Sequence, residues 1–171
     1  MKAAAPVMLA ALVCAGCGYH VSGHGDLLPK KIRTVAVPAF GNATTRYKLA
    51  EYLPADITHE FISRTRYRVV PDANQADAVL RGIVVSVGGY PTTTDPKTGR
   101  ATAVQAVVLL NITLTERATG AVLFSRPGME VRERYEIGID PKAYFDESGA
   151  AMQRLSRAVA QSVVTAVLEK F

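Results

Sequence analysis

"VQAVVLLNITLTERATGAVLFS", Val104 to Ser125, decides the fold. Val104, Ala106, Val108, Leu110, Ile112 and Leu114 recur at every second position and form one wholly apolar face, while Gln105, Asn111, Thr113 and Thr115 mark the other. A period of two belongs to a strand with one buried side. "RATG", Arg117 to Gly120, has turn chemistry and "AVLFS" begins a returning strand, so a long hairpin is predicted.

Upstream, "IRTVAVPAF", Ile32 to Phe40, is apolar and β-branched like a buried strand, with Pro38 allowing pairing only at an edge or near its end. "GNATT", Gly41 to Thr45, punctuates it. Leu49, Leu53, Ile57 and Phe61 then recur every fourth residue, predicting an amphipathic helix within Tyr47 to Thr65, with Pro54 in its first turn or kinking it. "RYRVV" and "ADAVLRGIVVSVGGY" are two more strand segments, the second running from about Ala78 to Val87. Downstream, from Asp146, the residues Met152, Leu155, Val159, Val163, Val167 and Phe171 repeat at steps of three and four, a C-terminal helix that Asp146 or Ser148 would cap. The element order is β-α-β-β-β-α, give or take one strand. Two one-sided helices and a one-sided sheet are satisfied together by an α+β fold, two helices packed on one face of a mixed, mostly antiparallel four-stranded sheet.

The leader MKAAAPVMLAALV has one cation, Lys2, and an apolar stretch too short to span a bilayer, as an export signal does. Both cysteines follow at once, in "VCAGCGYH", and no other cysteine occurs in the 171 residues. Ala15-Gly16-Cys17 resembles a bacterial lipobox, whose cysteine becomes the acylated first residue. The position three before that cysteine is usually Leu and here is Cys14; taking Cys14 as acceptor would put bulky Val13 at the cut, so Cys17 is the expected lipid anchor. The rival is a plain cleavable signal with Cys17 as a free or intermolecularly paired thiol. The domain plan is therefore residues 1–16 as signal peptide, 17–29 as anchor and tether, and 30–171 as a single domain without an internal disulfide.

The formal net charge is +5, and removing Lys2 with the leader leaves +4. A surplus of that size favours anionic partners. Nucleic acid is not expected for an exported, tethered chain with no basic run interleaved with aromatics, whereas an anionic glycolipid or membrane surface fits.

"CGYHVSGHGDLLPKKIRTVAVPAFGNATT" followed by "ITHEFISRTRYRVVPDANQADAVLRGIV" resembles the LPS-assembly lipoprotein LptE family over nearly the whole mature chain. That resemblance implies an outer-membrane lipoprotein that plugs the lumen of the LptD β-barrel and helps deliver lipopolysaccharide to the outer leaflet, with no catalytic residues and no cofactor. Gly18 stands where an Asp would resemble an inner-membrane retention signal, so the outer membrane is favoured. "TVAVPAFGNATT" with "LAEYLPADITHEFISRTRYRVV" is also similar to lipoproteins that activate peptidoglycan synthases and to curli-secretion and TolB amino-terminal domains, over the first half only. This is the alternative.

An enzyme needs a constellation of side chains that is absent from the sequence. His20 and His24 sit among glycines without accompanying Cys or carboxylates. His59-Glu60 has Ser63 where a zinc-protease motif needs its second His. Ser86, Ser125 and Ser148 lack a nucleophile-elbow context. The stretch that stands out is "YPTTTDPKTGRAT", Tyr90 to Thr102: Asp95-Pro96 and Thr98-Gly99 are turn formers, so Lys97 and Arg100 are expected at the tip of a loop joining two long strands. Exposed turns favour cations for solubility alone. The family resemblance adds a second role, contact with lipopolysaccharide anions, at Lys97 with Arg100 close behind and Lys142 of "IDPKAYF" as the weaker second position. Tyr90, Tyr135 and Tyr144, at loops or strand ends, would present aromatic groups to a barrel wall or cap the core.

Overall fold

A computed structural model of the chain describes residues 28–136 and 141–170. The elements are β1 (Thr34–Ala36), β2 (Gly41–Asn42), α1 (Tyr47–Arg64), β3 (Arg68–Val70), a 3-10 turn (Ala73–Gln75), β4 (Ala78–Thr94), β5 (Ala101–Glu116), β6 (Val122–Glu136) and α2 (Pro141–Leu168). They form one sheet in the order β3-β1-β4-β5-β6, with β2 also on β4. β1 runs parallel to β3 and β4, and β2 parallel to β4. The long β4-β5 and β5-β6 pairs are antiparallel and make up most of the ladder. The fold is α+β with a mixed, mostly antiparallel sheet, as expected, but with six strand segments instead of four.

The extra strand count has two physical causes. The segment Ile32 to Phe40 is not one strand: pairing stops after Ala36, and Pro38, which has no N–H to donate, lies in the gap before the chain rejoins β4 at Gly41. Gly41-Asn42, expected as punctuation, thus pairs with Ile83-Val84. The break seats Phe40 over Gly82, where an added Cβ would lie 2.1 Å from the ring. The second is the returning strand β6, whose start the sequence shows in "AVLFS" but which the order β-α-β-β-β-α does not count, and which continues to Glu136.

One helix expectation is narrowed and one is corrected. Pro54 lies inside α1 beyond the first turn, so the helix runs through it without the N–H bond to Ala50. α2 begins at Pro141 rather than at Asp146, which puts Asp146 and Ser148 inside it; a proline is well suited to a first helical position because its fixed φ is already helical and its missing N–H has no partner there.

Leu49, Leu53, Ile57 and Phe61 of α1 and Leu155, Val159, Val163 and Val167 of α2 join Val35, Leu80, Val84, Val108, Leu110, Ile112 and Leu114 in a single apolar cluster. Each such side chain contributes about 1.5–3 kcal/mol on full burial. β1, β4 and β6 run the same way, and each helix returns against its preceding strand, so α1 and α2 are parallel neighbours. Arg64 at the end of α1 clasps this pair, donating to Thr165 Oγ1 at 2.7 Å and to the Gln161 carbonyl at 3.4 Å. On the other sheet face, the buried apolar cluster among the described residues is the small one of Ala36, Ala76 and Val79 at the β1 end.

Asp77 fixes that end. Its Oδ2 accepts from the Arg33 and Thr34 N–H groups and the Thr34 hydroxyl, each at 2.9 Å. These bonds, led by the Arg33 N–H and helped by the nearby Arg117 charge, hold its carboxyl below the usual carboxylate range against the opposing effect of burial. Among the described residues no helix is long and apolar enough to cross a membrane.

Candidate functional site

The hairpin tip lies at the far end of the sheet from β1. β4 is 17 residues long, about 50 Å at the ordinary rise of a strand. Tyr90, Pro91, Thr93 and Thr94, expected in a loop, are instead paired with β5, with register shifts after Pro91 and Thr93. The loop therefore shrinks to the turn at 95–100.

Local chemistry builds that turn. The Asp95 N–H donates to the Arg100 carbonyl and the Gly99 N–H to the Asp95 carbonyl, each at 2.8 Å. Asp95 Oδ1 accepts from the Lys97 N–H at 2.7 Å. Gly99 adopts φ +67, a conformation that a side chain would strain. Lys97 and Arg100 are both exposed on this frame, and the carboxylate beside them faces inward to backbone donors. The tip is a hydrogen-bonded turn that presents two cations to solvent.

The register adds two arginines that sequence reasoning missed. Gln105 pairs with Tyr90 on one side and Arg134 on the other, and Val107 pairs with Gly88 and Arg132. Directly opposed residues share a face, so Arg132 and Arg134 stand on the side of the sheet away from the helices. Arg134 donates to Thr93 Oγ1 at 3.2 Å. Arg132 is bonded to Glu130, whose hydrogen bond and charge raise the guanidinium pKa further. Among the described residues no ion pair engages Lys97, Arg100 or Arg134. The signal for the two arginines was their spacing by two in "RERYE", which on a strand means one face.

Lys142 lies in the first turn of α2. β6 ends with Glu136 opposite Ala103, beside the tip, and Pro141 follows within about 18 Å of chain reach. The backbone thus brings Lys142 to the same end of the sheet as Lys97 and Arg100. The side chains of Lys142, Tyr135 and Tyr144 lie outside what is described, as do Cys14, Cys17, His20 and His24. Tyr90 is not at a strand end but within β4, and it is 55% exposed.

The open face toward which Tyr90 projects also holds Ile83, 48% exposed, and half-buried Val107 and Leu109. Apolar rows at the middle of a sheet face that no described element covers, with cations at its tip, suit a partner surface that ends at an anionic ligand. His59 is exposed on α1, and its neighbour Glu60 pairs with Arg64 at 3.8 Å.

A family model described as LptE, lipopolysaccharide-assembly, matches residues 32–167. No curated protein matches the chain. Among solved structures, a Xanthomonas campestris protein is similar at 14% identity, covering 85% of this chain and 90% of its own, with a TM-score of 0.53. A hypothetical protein from Chlamydia trachomatis is 12% identical, covering 78% and 96%, with a TM-score of 0.50. Rare lipoprotein B from Shewanella oneidensis is 14% identical, covering 78% and 95%, with a TM-score of 0.48. At these identities the likeness to the first two is one of fold.

Proposed function

Because the chain belongs to the LptE family of lipopolysaccharide-assembly lipoproteins, we propose that it plugs an LptD-type β-barrel in the outer membrane and presents the 95–100 turn to lipopolysaccharide. The family is non-enzymatic and associated with the outer membrane. Cys17 is the proposed acyl anchor, placing the domain on the periplasmic side. Two or more acyl chains make such an anchor stable, whereas one does not.

The observation that carries this reading is the extent of the family match, which takes in all six strands and both helices as far as Val167. The rival resemblance to peptidoglycan-synthase activators stops after the first half of the chain, before β5, β6 and the basic tip. Lipopolysaccharide offers phosphates and carboxylates, for which Lys97 supplies a point charge and Arg100 a bidentate fork. Lys142 and Arg134 are secondary contacts in the same proposal, and Tyr90, Ile83 and Leu109 are contacts to the barrel wall.

Depleting the protein in its host tests the function. Newly made lipopolysaccharide should fail to reach the cell surface while peptidoglycan synthesis continues. A fall in peptidoglycan cross-linking with normal surface lipopolysaccharide would support the rival instead.

A further inference from the structure

At the end of the sheet opposite the hairpin tip, a cleft of about 590 Å³ opens beside β1 and β3. Leu28, Ile32 and Tyr67 supply buried apolar surface, and Lys30, Arg33, Arg66 and Arg68 supply four cations; among the described residues no acidic side chain lines it. We propose that this cleft binds the phosphate of an anionic glycerophospholipid headgroup, in the membrane leaflet that holds the anchor.

The cleft is firmly built. The Leu28 N–H donates to the Tyr67 hydroxyl at 2.9 Å, the Ile32 N–H to the Pro29 carbonyl at 2.8 Å, and the Arg68 N–H to the Arg33 carbonyl at 3.0 Å. Among the described residues the nearby acids are already engaged: Asp77 accepts from Arg33 and Thr34, and Glu116 takes Lys31 at 2.7 Å and the Thr119 hydroxyl at 2.7 Å. Among the described residues none of Lys30, Arg33 and Arg68 has an ion-pair partner. The guanidinium groups of Arg33 and Arg68, without an ion-pair partner among the described residues and above an apolar floor, match a ligand with a phosphate at one end and hydrocarbon at the other.

Position selects the membrane as the source. Cys17 precedes Leu28 by eleven positions, about 40 Å at full stretch, so the proposed acyl anchor keeps the cleft within reach of the headgroup layer. The tip, about 50 Å away along β4, is free to face another ligand. The orientation rests on the Cys17 anchor and not on the barrel partner.

The test uses the full mature-length chain with Cys17→Ser, so that no acyl chain contributes. It compares sedimentation with vesicles of phosphatidylglycerol in phosphatidylcholine, with pure phosphatidylcholine vesicles, and titration with dihexanoyl-phosphatidylglycerol, inorganic phosphate and lipopolysaccharide. Arg33→Gln with Arg68→Gln should weaken phosphatidylglycerol binding at least tenfold. Lys97→Gln with Arg100→Gln, which removes the same net charge, should leave it within twofold. Equal losses in the two variants, or none in the first, would overturn the proposal. Inorganic phosphate binding as tightly as the short-chain lipid would overturn the lipid assignment, and lipopolysaccharide binding lost only with Arg33 and Arg68 would move the ligand to lipopolysaccharide. In the parent chain, phosphatidylglycerol vesicles should protect the Ile32–Thr34 and Arg68 amides from exchange but not those at 95–100. Absence of that pattern would refute the site independently of any variant.

Discussion

Gly82→Ala sets a methyl group where Phe40 already lies. The new Cβ falls 2.1 Å from Cε1 and 2.6 Å from Cδ1 and Cζ of the ring, against an ordinary carbon contact of about 3.5–4 Å. The ring must therefore retreat by more than about 1 Å. It has little room: Phe40 is 7% exposed and belongs to the main apolar cluster. Overpacking of this kind costs about 1–3 kcal/mol, and the severity of the overlap places the expected loss near 3 kcal/mol. In a domain of this size that lowers the melting midpoint by roughly 6–12 °C. Ala would otherwise be the better strand residue by about 0.5–1 kcal/mol, so the sign itself is informative. Urea unfolding followed by circular dichroism, for Gly82→Ala, Phe40→Leu and the pair, isolates the contact. The smaller Leu accepts the methyl, and the double variant should be less damaged than the sum of the singles by about 1–2 kcal/mol. Strict additivity, or a Gly82→Ala protein as stable as the parent, would refute the close-packing account.

Lys97→Glu with Arg100→Glu should weaken lipopolysaccharide binding about tenfold with an unchanged melting midpoint, since both side chains are exposed and the turn is built by Asp95 and Gly99; unchanged binding would leave them as ordinary turn cations. Asp77 has a depressed folded pKa, so its contribution is present above the unfolded carboxylate range and is lost as pH falls through the folded value. Asp77→Asn should cost about 1 kcal/mol at pH 7 and nothing once the pH lies below both values, read by urea midpoints across that range. Ser156 is wholly buried on α2 and its hydroxyl has no hydrogen-bond partner among the described residues, so Ser156→Ala should raise stability by up to about 1 kcal/mol in the same unfolding assay.

The legible parts of this fold are those where one face repeats. β5 alternates because one side meets α1 and α2, and α1 shows every fourth residue because one stripe meets the sheet. β4 beyond Val87 was not legible: "GGYPTTT" has no buried face, and it is held by the ladder to β5, a non-local partner. The split between β1 and β2 depends on how Phe40 meets Gly82, a contact 42 positions apart in the chain that no local pattern encodes. Proline was ambiguous in the same way, since Pro38 breaks a strand and Pro141 begins a helix according to what lies next to each. Lys97 and Arg100 were visible because turn residues announce themselves, whereas Arg132 and Arg134 gained meaning only when the register set them beside Val107 and Gln105.

The central claim is that one copy of this chain occupies one lipopolysaccharide-transport barrel. Native mass spectrometry of the tagged protein, extracted from its own outer membrane in mild detergent, measures that directly. The account predicts a single dominant species with the mass of one LptD-type barrel and one copy of this chain beginning at an acylated Cys17. The chain recovered alone, in a homo-oligomer, or with a peptidoglycan synthase as its sole partner would contradict it.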